Sequence, residues 1–273
     1  MLRSNKHLLY GGAGFVGGAA GALLAEVVGD HERSFLGALL HVALWAAIFA
    51  AALALALAWA GDYYAGRRWM NQRVAVGALV SGATAGALSG GIAQLIYTID
   101  LTSPAVREFV FKPACWGLMG LLLGWRLAAK IPNLERTKAL LAGAVGGFVG
   151  GLGFLIVGAV LPELIGRMVG VGVLGMALGL ALVVVEQWFR VASLEVKWAP
   201  KETTTVNLGS RPVMIGGGDD HVYLAGLPEH AMSVVLEQGK IFVTEFASGR
   251  RTELRDGSLI RVGTLEIVVH AKG

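Results

Sequence analysis

The spacing Gly12-Ala13-Gly14-Phe15-Val16-Gly17 is G-x-G-x-x-G, a turn that can aim backbone N–H groups at a pyrophosphate. Asp30 and Glu32 lie about as far downstream as a carboxylate that meets a ribose hydroxyl. That chemistry needs a strand before the turn and a βαβ unit around it. Here only His7-Leu8-Leu9-Tyr10 precedes the glycines, after a basic start, and a second long apolar stretch follows. The dinucleotide reading therefore lacks its context. Elsewhere no nucleophile–base–acid set, carboxylate pair or metal-ligand spacing emerges. The one cysteine, Cys115, lies in an apolar stretch and builds neither a disulfide framework nor a metal cluster. No catalytic, cofactor-binding or metal residue is assigned, and the expectation is a protein that is not an enzyme and carries no cofactor.

The remaining polar groups in apolar surroundings are His41, Gln94, Ser81, Thr84 and Ser89, which interhelical hydrogen bonds are expected to satisfy. The stretches around them are long enough to span a bilayer, which takes roughly 20 apolar residues as helix. Six are read: Leu8–Val28, Phe35–Ala60, Val74–Ile99, Phe109–Ala129, Leu140–Leu161 and Met168–Phe189. The fourth is interrupted near its start by Lys112 and Pro113. Of the 273 residues 55% are hydrophobic and only 15% charged, and the shortage of charge ends near Arg190. This divides the chain into a polytopic helical domain, 1–190, and a second domain, 191–273.

The net charge of +4 fits topology rather than nucleic acid, since no basic stripe carries interleaved aromatics. Twelve Lys and Arg flank one side of the spans, among them Arg3, Lys6, Arg67, Arg73, Arg126, Lys130 and Arg190; four, Arg33, Arg107, Lys112 and Arg167, flank the other. An even number of spans makes this bias consistent, with both termini cytoplasmic. Trp69, Trp125 and Trp188 fall near the cytoplasmic ends, where interfacial aromatics belong. The first span also has a basic start and a small-residue Ala20-Gly21-Ala22 site, as a cleaved signal peptide would. Its apolar run continues to Val28 and its pattern recurs later, so it is read as a retained helix.

That recurrence is carried by glycine, 40 residues in all. Gly11, Gly77 and Gly143 are 66 residues apart, and Gly14-Phe15-Val16-Gly17-Gly18 returns as Gly147-Phe148-Val149-Gly150-Gly151. The chain reads as three two-helix hairpins. Gly at i and i+4 shares a helix face and lets a neighbour approach. Gly14/Gly18, Gly82/Gly86/Gly90 and Gly143/Gly147/Gly151 are therefore the expected helix-packing positions, a glycine-zipper pattern. A pore is the competing reading, but intramembrane charge, which usually marks a conduction path, is sparse.

After Arg190 the pattern becomes alternating. Nine short β-like stretches run from Ser193–Trp198 to Thr264–His270, separated by turns such as Gln238-Gly239 and Asp256-Gly257, which argues for a β-sandwich. The order Ile215-Gly216, His221-Val222-Tyr223-Leu224, His230-Ala231, Gly239–Val243 and Leu254–Gly263 resembles the forkhead-associated (FHA) domain. The resemblance runs from about Leu194 to Ala271 and implies an all-β phosphothreonine-binding module. The phosphate-holding positions are altered: Gly217 stands where the family has Arg, Leu227-Pro228 where it has Ser-Arg, and Gly249-Arg250-Arg251-Thr252 where it has Asn-Gly-Thr. The fold carries over, and the ligand site does not. Arg211, Arg250, Arg251 and His230 remain as candidate partner-binding residues, with His230 expected to be packed or hydrogen-bonded. Six spans followed by such a domain also resemble a group of bacterial membrane proteins.

These readings converge on a non-enzymatic anchor or accessory subunit in a bacterial inner-membrane assembly. Its partners would be the bilayer, other integral membrane proteins and a cytoplasmic protein at the β domain, with no nucleic acid. A phosphothreonine receptor and a channel or transporter gated by the β domain are the alternatives.

Overall fold

The computed structural model describes residues 3–28, 34–99, 103–128, 131–263 and 265–271, so Asp30, Glu32, Arg33, Lys130 and Thr264 lie outside the described residues. A helical part precedes a β domain. The helices are α1 (Lys6–Ala25), α2 (Phe35–Tyr64), α3 (Gln72–Ile99), a short α4 (Pro104–Val106), α5 (Lys112–Ala128), α6 (Arg136–Val160) and α7 (Glu163–Trp188). Asn5 caps α1 by accepting from the Leu8 N–H at 3.1 Å, and Ser34 caps α2 in the same way through Gly37 at 3.1 Å. All helices but α4 and α5 are long and apolar enough to cross a membrane.

The fourth expected span departs from a plain helix. Residues Arg107–Phe111 are π-helical and lead into α5. Pro113 has no N–H to give to a carbonyl one turn back, and its ring crowds that carbonyl. The turn ahead of it widens, and the Lys112 N–H reaches the Arg107 carbonyl instead.

In the order α1-α2-α3-α5-α6-α7 each helix packs on the next, and α7 closes on α1. The centre is filled by Phe49, Leu53 and Leu57 of α2, Met119 and Leu123 of α5, and Leu174, Leu178 and Leu182 of α7, all below 2% exposure. The closest helix pairs include α2–α3, α5–α6 and α1–α7, which belong to successive hairpins. The α3–α5 pair, nominally one hairpin, has the loosest contact in the ring.

The β domain has strands β1 (Ala192–Ala199), β2 (Glu202–Leu208), β3 (Val213–Gly216), β4 (Val222–Tyr223), β5 (Met232–Glu237), β6 (Lys240–Glu245), β7 (Arg251–Leu254), β8 (Leu259–Val262) and β9 (Leu265–Ala271). They form two sheets, β2-β1-β9-β8 and β4-β3-β5-β6-β7. Leu194, Val196, Ile215, Val234, Ile267 and Val269 form a core separate from that of the helices. Strand alternation supplies it: Leu265, Ile267 and Val269 are buried while Glu266 and Val268 are half-buried. Gln238 and Gly239 both take positive φ between the paired Glu237 and Lys240, the two-residue turn whose twist suits a hairpin.

Candidate interaction site at the junction of helices and β domain

The β domain is fastened to one end of the bundle, here the near end, by four segments of the helical part. From the N-terminus, the Arg3 guanidinium lies 3.5 Å from Glu202, and Ser4 Oγ donates to the Lys201 carbonyl at 3.1 Å. From the end of α2, Tyr64 Oη accepts from the Thr205 N–H at 2.8 Å and donates to its carbonyl at 3.3 Å. From the α5–α6 loop, Asn133 donates to the carbonyls of Asn207 and Arg211, both at 3.1 Å, and accepts from the Arg211 N–H at 3.0 Å. From α7, the Glu186 carbonyl accepts from Asn207 Nδ2 at 3.0 Å, and Arg190 Nε donates to Asn207 Oδ1 at 2.7 Å.

Two buried cations organise this junction. Lys6 Nζ donates to both carboxylate oxygens of Glu186, at 2.7 and 2.5 Å, and lies 4.4 Å from the Tyr64 ring centroid. Glu186 is only 1% exposed, so the pair ties the start of α1 to the end of α7 in a dry place. Arg67, 9% exposed, donates to the Asp220 carbonyl at 2.6 Å and the Gly218 carbonyl at 3.2 Å, and pairs with Asp62 at 3.3 Å. Beside it, Gly66 has φ +102° and backs onto the Trp198 ring, so a side chain there would be both strained and obstructed. Lys6 and Arg67, counted by sequence among the cations that flank the spans, are both buried and bonded. A cavity of about 120 Å³ between the bundle end and the β domain is lined by Asp62, Arg67, Asp220 and His221.

The four candidate partner residues occupy different places. His230 accompanies the junction: its N–H donates to Asp220 Oδ2 at 2.8 Å, and its Nδ1 lies 2.5 Å from Asp220 Oδ1. The Asp220 side chain is fully buried, whereas that of His230 is 56% exposed, so the ring is oriented from within and its other edge faces solvent. Arg211 meets Asn133 through its backbone. Arg251 donates to Glu237 at 2.5 Å and stacks 4.4 Å from the Phe242 centroid, and Arg250 is exposed beside it. Position 217 has no room for a side chain: a Cβ there would run into the Leu227 carbonyl, and the Gly217 N–H already donates to Pro228 at 2.9 Å.

The candidate packing glycines sit at helix–helix contacts. A Cβ on Gly14 would meet the Gly175 carbonyl, and one on Gly18 that of Val171. Gly82 and Gly86 of α3 back onto the Ala50 and Ala46 carbonyls of α2, and Gly90 onto Val42 and Ala46. Gly143 and Gly120 face each other across α5–α6, while Gly147 and Gly151 back onto Trp116. Ser81, Thr84 and Ser89 donate within their own helix, to the carbonyls of Gly77 at 2.7 Å, Val80 at 2.8 Å and Gly86 at 3.1 Å. This corrects the expectation of interhelical bonds: a hydroxyl reaches a carbonyl three or four residues back without a partner helix.

Asn133, Asn207, Tyr64 and Asp220 were not singled out by sequence. The Ile131-Pro132-Asn133 turn was a usable signal, since Asn tolerates the left-handed conformation it adopts at φ 56°. Among the described residues no three His, Cys, Asp or Glu side chains are grouped as metal ligands. Comparison of the chain with models of known families, with curated proteins and with solved structures finds no match.

Proposed function

We propose that the chain is a non-enzymatic membrane anchor, an accessory subunit whose six helices cross a bacterial inner membrane with the near end in the cytoplasm. The observation that carries this reading is the four-segment attachment of the β domain, which holds its outer side at a fixed orientation to the bundle. Long apolar helices support the membrane part, with α5 and the turns ahead of it as the sixth crossing. So do the exposed Leu40 and Leu44 of α2, Leu88 and Leu95 of α3, and Leu141 and Val149 of α6. Trp69, Trp125 and Trp188 are exposed at the near end, as an aromatic belt requires.

The β domain is read as FHA-like in fold and as a protein-docking module in use. Its two sheets of short strands agree with that resemblance. Of the loops on which the family places its phosphate donors, the one after Gly217 lies at the junction, where Arg67 takes the Gly218 and Asp220 carbonyls, and Leu227-Pro228 packs against it. A phosphate needs converging charge-assisted donors, and position 217 is closed to a side chain. The exposed part is the β6–β7 turn with Phe246, Arg250 and Arg251, the last paired with Glu237. A filled bundle centre weighs against conduction.

Isolation of the native protein in mild detergent tests the proposal. Co-purification of a defined membrane partner, lost in Arg250→Glu/Phe246→Ala, is the expected result. Recovery of a monomer alone overturns the accessory role. Millimolar phosphothreonine peptide is expected not to bind; binding that depends on Arg250 and Arg251 would establish the signalling alternative.

A further inference from the structure

The α3–α5 seam differs from its neighbours around the ring. α3 turns Gly82, Gly86 and Gly90 to α2, and α5 turns Gly120 and Gly124 to α6, so these glycines do not close the α3–α5 seam. Two cavities lie along this seam. One, of about 160 Å³ at the near end, is walled by Ala58, Ala78, Ser81 and Leu127, with Arg73 and Arg126 at its mouth. The other, of about 200 Å³ toward the opposite end, is lined by Ala93, Gln94, Tyr97, Cys115 and Trp116, with Lys112 at its edge. The Trp116 indole Nε1 is buried with no hydrogen-bond partner among the described residues.

The Arg126 guanidinium reaches from α5 across the seam onto α3. Its Nη2 lies 3.1 Å from where a Cβ on Gly77 would be, and Gly77 is one helical turn beyond Arg73 on the same face. Two cations from different helices thus meet at one mouth. No ion pair to either occurs among the described residues. Asp219 also lines this cavity, with Oδ1 accepting from Asn71 at 3.1 Å. The exposed Trp69 and Trp125 flank these arginines in the chain, at the level of interfacial aromatics.

We propose that the α3–α5 seam seats one anionic phospholipid, its phosphate held by Arg73 and Arg126 and one acyl chain lying along the seam. This rests on the reading that the helices cross a bilayer. Charge complementarity selects the occupant: guanidinium forks match phosphate oxygens, and basic pockets between helices on the cytoplasmic side suit acidic headgroups. The apolar walls behind the arginines distinguish a lipid from a soluble anion, which would have no use for them.

The test is native mass spectrometry of the full chain in mild detergent, with phosphatidylglycerol or phosphatidylcholine added at equal concentration. The intact protein is expected to retain one phosphatidylglycerol and to release phosphatidylcholine. Arg73→Gln/Arg126→Gln, both at exposed positions, should weaken that retention about tenfold or more, a loss of the order of one charge-assisted contact. Ser81→Phe, which fills the seam and leaves both arginines, should displace the lipid too; the Arg pair alone decides the matter if that variant does not fold. Equal retention of the two lipids, retention unchanged in the Arg pair, or full displacement by millimolar inorganic phosphate overturns the proposal. Failure of the chain to enter vesicles at all removes the membrane reading itself, and alkaline extraction of cell membranes distinguishes that outcome.

Discussion

Lys6 and Glu186 illustrate how one residue pair joins two helix ends. Glu186 is 1% exposed, and its two oxygens take both of the donors that Lys6 aims at it. Removing one member of a buried pair leaves an uncompensated charge and costs about 3–5 kcal/mol, whereas replacing both with apolar groups is often neutral. Lys6→Met should therefore lower the thermal midpoint in detergent strongly, and Lys6→Met/Glu186→Leu should recover most of the loss. A double variant as unstable as the single one would sink this account. Arg67 acts differently, since its partners are mostly backbone carbonyls of the β domain. Arg67→Ala should loosen residues 217–221 by about 1.5–3 kcal/mol, the range for hydrogen bonds to a charged group. Hydrogen exchange by mass spectrometry should show faster exchange at that loop, with the strands of the sandwich core unchanged.

Helices pair through glycine where backbone meets backbone. Gly143 and Gly120 each face the other's carbonyl, so an added methyl on either has no space to enter. Gly143→Ala and Gly14→Ala should destabilise by about 1–3 kcal/mol, the usual cost of overpacking. Gly12 and Gly158 provide the control, because a Cβ on either meets nothing within 4 Å. Alanine at those two positions should leave the thermal midpoint unchanged or raised, since alanine is the better helix former. If all four variants behaved alike, close approach would not be what the glycines provide. The ion pairs of the α1–α7 seam act at both ends of one interface: Lys6–Glu186 at the near end, and Glu26–Arg167 at 3.0 Å at the other.

At the scale of the molecule, two separate cores are held in register by a polar junction. The β domain has its own buried centre, so residues 191–273 expressed alone should fold, giving a dispersed amide spectrum and a cooperative thermal transition. Its midpoint should fall below that of the same domain in the full chain, because the partners of Asn207, Thr205 and the Asp220 carbonyl are then absent. An isolated domain without a cooperative transition would mean that the junction supports the sandwich rather than merely attaching to it.

The helical stretches and the short strands that follow them were legible in the sequence, because hydrophobic period, run length and turn residues are local properties of a chain. The glycine faces were legible too, as i and i+4 spacing. What each face packs against was not. Gly82, Gly86 and Gly90 of α3 turn to the preceding helix rather than to the next, which depends on how the ring closes. The widened turn before Pro113 could be sensed from proline, but that the Lys112 N–H reaches the Arg107 carbonyl is seen only in the structure. The junction was the least visible part. Lys6, Arg67, Asn133 and Asn207 carry no motif, and a cation in a loop looks the same whether it faces water or a buried carboxylate. Only the tertiary structure decides burial at a distance: it brought Lys6 to Glu186 across 180 residues and Arg67 to Asp220 across 153. Once water is excluded there, each charge needs a partner: Lys6 and Glu186 join α1 to α7, and the carbonyls that Arg67 takes hold the β domain on the helices.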